Sequence, residues 1–104
     1  MLLPIITEFS IQVAPERYAN CAKAMGIAHI DDSNELANEK LVKSLIEINR
    51  DLKVSTLAEF GVKKQYFDEV VQMMAEQALA SGSPANNPIV PTVEQMILLY
   101  QQLW

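Results

Sequence analysis

Thr92-Val93-Glu94-Gln95 opens a run in which Val93, Met96, Ile97, Tyr100, Leu103 and Trp104 recur at helical spacing to the end of the chain. The Thr-x-x-Gln pattern is a capping box. The Thr92 hydroxyl accepts from the Gln95 N–H, and the Gln95 side chain reaches back to the Thr92 N–H. A capped helix with one apolar stripe needs a facing apolar surface, so the segments before it must leave a groove for it to fill. The approach, Asn86-Asn87-Pro88-Ile89-Val90-Pro91, is stiffened by two prolines. This stretch admits few folds other than a packed helical one.

The rest of the chain agrees. Leu2, Leu3, Ile5, Ile6, Phe9 and Val13 predict a mostly buried first helix of about three turns, with Pro4 tolerable in its first turn. Ala14-Pro15 breaks that pattern, and Pro15 is set to start a second helix over Glu16 to Met25. Tyr18, Cys21, Ala22 and Met25 should form its inner face, with Gly26 as the stop. Asp31, Asp32 and Ser33 offer caps for a third and longest helix from Asn34 to Leu52. There Leu41, Leu45, Ile48 and Leu52 repeat at spacings of four, three and four, with Val42 and Ile46 widening the stripe. Glu39 and Lys43 are placed for an i,i+4 pair.

Ser55 to Val62 reads as one short helical turn, capped by Ser55 and closed by Gly61, with Leu57 and Phe60 pointing inward. A fourth helix follows from Lys64 to Ala80, packing Phe67, Val70, Val71, Met74, Ala78 and Leu79. No strand-like alternation, internal repeat or low-complexity tract occurs. The expected fold is all-α, a single domain over residues 1–104 with about five helices and one short turn.

At 104 residues, 50% hydrophobic and 20% charged, the chain is globular in composition. A net charge of −5, with Lys63-Lys64 the only adjacent basic pair, argues against nucleic acid as a partner. One cysteine, Cys21, allows no intrachain disulfide and fits a reducing compartment. The apolar opening lacks a preceding basic residue and is too short to cross a bilayer, so neither a leader nor a membrane association is expected. The cytoplasm is the expected location. Those opening residues also need a cover, which points to a chain that belongs to something larger or self-associates.

Few side chains suggest chemistry. His29, the only histidine, stands beside Asp31 and Asp32, but a zinc site takes three or four protein ligands and no further ones lie nearby. Cys21 reads as a small buried filler rather than a nucleophile. Glu16, Glu35, Glu39, Glu47 and Asp51 are spread over helix faces without forming an acid–base pair. Ser81-Gly82-Ser83 is followed by Pro84, which has no N–H to give a phosphate. The methionines, Tyr100 and Trp104 read as core.

Taken together, several stretches resemble the C-terminal part of the helical domain of the iron-containing (group III) alcohol dehydrogenases, over nearly the whole chain. They are Met1-Leu2-Leu3-Pro4, Arg17-Tyr18-Ala19 with Ala24-Met25-Gly26, Ile48-Asn49-Arg50, and Ser55-Thr56-Leu57-Ala58-Glu59-Phe60-Gly61-Val62. Asn87-Pro88, Pro91-Thr92-Val93-Glu94 and Leu99-Tyr100 to Trp104 complete the set. The specificity lies in their order and spacing.

The resemblance implies an NAD(P)-dependent alcohol/aldehyde oxidoreductase with an N-terminal nucleotide domain and a divalent metal, iron or zinc. In that family one Asp and three His hold the metal, all upstream of the part resembled here. The last lies in a His-Gly segment just before the counterpart of Met1-Leu2-Leu3-Pro4. No catalytic, cofactor or metal residue therefore carries over to this chain, and His29 matches none of them. The chain departs from the pattern at Ile89, where Arg is usual. Ser83 and Asn86, in the loop before Asn87-Pro88, are implied at most as a wall of the substrate cleft. Gly61, Asn87, Pro88, Thr92 and Gln95 read as structural.

The resulting expectation is a fragment of such an enzyme, inactive alone and binding neither metal nor NAD(P). It should self-associate through exposed apolar faces, as a symmetric dimer burying the first helix, or join the missing N-terminal part. The alternative is a free-standing helical protein-interaction module derived from the same fold.

Overall fold

A computed structural model describes residues 1–104. Five α-helices follow one another without a strand: α1 (Leu2–Ile11), α2 (Pro15–Ala24), α3 (Asn34–Asp51), α4 (Lys64–Ala80) and α5 (Val93–Gln101). A 3-10 turn at Ser83–Asn86 lies between the last two. The all-α expectation holds, and the local signals for each helix are visible. Pro15 opens α2 at a position where its missing N–H costs nothing. The Ser33 hydroxyl accepts from the Leu36 N–H at 3.2 Å and starts α3. Both arms of the Thr92–Gln95 box are formed, at 2.9 and 3.2 Å.

Two compact units divide the chain. One comprises residues 3–54 and the other residues 55–104 with Met1 and Leu2. In the first, α2 and α3 pack as a pair around Ala19, Ala22, Ala28, Ala37 and Leu41, flanked by Tyr18, Ile27 and Leu45. Small side chains let the two backbones approach closely, so the core is thin. In the second, α4 packs on α5 and on the 3-10 turn. Here Phe67, Val71, Ala75, Met96, Leu99 and Leu103 are buried. The Phe67 and Trp104 rings meet edge to face with centroids 5.5 Å apart. Lys64 Nζ stands over both rings, 4.8 and 5.3 Å from their centroids.

Several sequence expectations change. In α1 the buried residues are Pro4, Thr7 and Ser10, while Leu2, Leu3 and Val13 are exposed, Leu3 by 62%. The Ser10 hydroxyl can sit inside because it donates to the Ile6 carbonyl at 2.7 Å. Cys21 and Met25 are exposed, because α2 turns its alanine face to α3. Ile46, Ile48 and Leu52 are also exposed: the α2–α3 contact uses the Ala37–Leu41–Leu45 side of α3. No Glu39–Lys43 ion pair forms; Lys40 instead holds Asp32 at 2.5 Å.

In the 55–62 turn the capping residue is Thr56 rather than Ser55. Thr56 and Glu59 exchange side-chain bonds to each other's N–H groups at 3.2 and 2.9 Å. The Leu57 N–H donates to the Leu103 carbonyl, which ties the turn to the chain end. Phe60 is 79% exposed rather than inward, since the side held by this tie is that of Leu57. Gly61 closes the turn at φ +94°, a conformation that favours a residue without Cβ. Helix α5 stops at Gln101, so Leu103 and Trp104 pack from beyond its end.

Candidate functional site

Two places merit a chemical reading, one in each unit. The first is the loop from Ser81 to Pro91. Gly82 takes φ +78°, after which the 3-10 turn Ser83–Asn86 leads to Asn87. The Ser81 hydroxyl donates to the Ala78 carbonyl at 2.6 Å and accepts from the Ser83 N–H at 3.3 Å. Asn87 Nδ2 donates to the Ile89 carbonyl at 2.7 Å, bracing the bend ahead of Pro91, which is buried. Ser83 and Asn86 are both exposed, and Pro88 is exposed between the braced residues. The loop is a shaped surface with hydroxyl and amide groups and no titratable side chain. Gly61, Asn87, Thr92 and Gln95 each hold backbone geometry.

The second place is an open groove of about 790 Å³ between α1 and α3. Ile11, Gln12 and Pro15 contribute from the α1 side, with Glu8 at its edge. From α3 come Val42 and Ile46 along the middle. Glu35, Glu39, Lys43, Glu47 and Arg50 flank them. Asn38 also lines the groove and is only 6% exposed. Its Nδ2 donates to the Pro15 carbonyl at 2.9 Å, while Oδ1 has no donor. The sequence reading assigned Val42 and Ile46 to the core and gave Asn38 no role. Their spacing was visible, but which side of α3 would meet α2 was not.

The residues present form no metal-ligand set. No group of three or more His, Cys, Asp or Glu side chains is placed to hold an ion. His29 is 71% exposed with Asp31 at 3.3 Å. Asp32 is already engaged by Lys40 and by the His29 N–H at 2.8 Å. Those two hydrogen bonds, the Lys40 one first, hold the Asp32 carboxyl below the ordinary aspartate range. The Glu94 carboxyl is also lowered, first by its own backbone N–H and then by the Thr92 hydroxyl.

The profile of the Fe-containing alcohol dehydrogenase family, C-terminal region, matches residues 1–104. The chain belongs to this family. Among similar proteins is the lactaldehyde reductase of Escherichia coli, 29% identical over 105 residues, covering 100% of this chain and 26% of the relative. The NADPH-dependent butanol dehydrogenase of Clostridium saccharobutylicum is 27% identical over 100 residues, 95% of this chain and 25% of the relative. The 1,3-propanediol dehydrogenase of Klebsiella pneumoniae is 27% identical over 103 residues, 98% of this chain and 26% of the relative. The chain thus spans about a quarter of the length of these curated dehydrogenases and reductases. Its all-helical architecture is that expected of the family's C-terminal helical domain. No helix is long and apolar enough to cross a membrane.

Proposed function

We propose that residues 1–104 are the second half of the helical domain of an NAD(P)- and metal-dependent alcohol/aldehyde oxidoreductase, and that this chain alone does not turn over substrate. The supporting observation is the family match along the whole chain at a quarter of the relatives' length. On this reading the nicotinamide and the divalent metal are held by other parts of such an enzyme. There the nicotinamide would supply hydride transfer with the alcohol carbon and the metal would polarise the alcohol oxygen.

This chain supplies shape instead. The braced loop with Ser83 and Asn86 forms a wall of the substrate cleft, and α4 with α5 supports it. Its working location is the cytoplasm. Its partner is the nucleotide-binding part of the enzyme or, without that part, a second copy covering exposed apolar side chains such as Leu2, Leu3 and Ile46. A second reading, a free-standing helical interaction module, draws on the groove along α3.

The test is a nicotinamide absorbance assay of the purified chain with NAD⁺ or NADP⁺, short-chain alcohols and added Fe²⁺ or Zn²⁺. No turnover above the protein-free rate is expected. Metal-dependent turnover that co-purifies with the chain overturns the proposal.

A further inference from the structure

We draw no further inference here: the strongest candidate, the open groove between α1 and α3 with Val42 and Ile46 along its middle, carries nothing because its rim holds charges of both signs and nothing in the structure shows what covers it.

Discussion

The two units build their interiors from opposite materials. Residues 3–54 bury four alanines and one leucine between α2 and α3, whereas residues 55–104 bury phenylalanine, valine, methionine and two leucines around α4 and α5. Small residues give close backbone contact but remove little apolar area from water, at roughly 25 cal/mol per Å². A unit that packs by alanine leaves its large side chains elsewhere, and Val13, Ile46, Ile48 and Leu52 are accordingly exposed. The aromatic unit exposes large residues too, among them Phe60 and Tyr66, but it retains a core of bulky side chains. An alanine core suits a helix pair with a further face to offer, which is the situation of α3.

The largest test of this contrast is Phe67→Ala. It removes a side chain that is 2% exposed and the ring partner of Trp104, and should cost about 3–5 kcal/mol. Urea unfolding followed by Trp104 fluorescence measures it, and a loss under 1 kcal/mol would mean that the aromatic cluster carries little stability. Next comes overpacking. Ala22→Leu, at a position with no exposure between α2 and α3, should cost about 1–3 kcal/mol by forcing the helices apart. The matching Ala75→Leu in α4 should cost less, because the longer side chains around it can move. Equal thermal shifts for the two would remove the distinction between the cores.

Smaller effects compare one cap from each unit. Thr92→Ala breaks a reciprocal box and Ser33→Ala a single bond, so thermal unfolding should show a loss of about 1 kcal/mol for the first and less for the second. The smallest effect is on pH. Because the folded-state pKa of Asp32 is lowered, its contribution is present above the unfolded aspartate value and is lost as pH falls through the lower folded one. Urea midpoints of Asp32→Asn should therefore lie below those of the wild type at neutral pH and converge with them in acid. A gap between the two that stays constant down to strongly acidic pH would assign the effect to something other than the Lys40 hydrogen bond.

Helix placement was legible because its causes are local. Ser33, Pro15 and the Thr92–Gln95 box mark helix starts whatever surrounds them, and α4 runs over Lys64–Ala80 as its period predicts. The candidate loop was legible as a braced bend for the same reason, Asn87 reaching only to Ile89. The groove was not. Asn38, Val42 and Ile46 differ from the core stripe by only one residue step, and nothing in their own spacing says which side meets α2.

By itself, then, the sequence determined an all-helical chain, its caps and turns, and its family. Those follow from bonds and patterns spanning a few residues, or from their order along the chain. Tertiary structure alone decided that α2 and α3 join through alanines, and that Phe60 and Cys21 face solvent. It also left an apolar stripe of α3 open beside unpaired charges of both signs. A helix with apolar residues on more than one side has several ways to pack, and only the competing faces of its neighbours select among them.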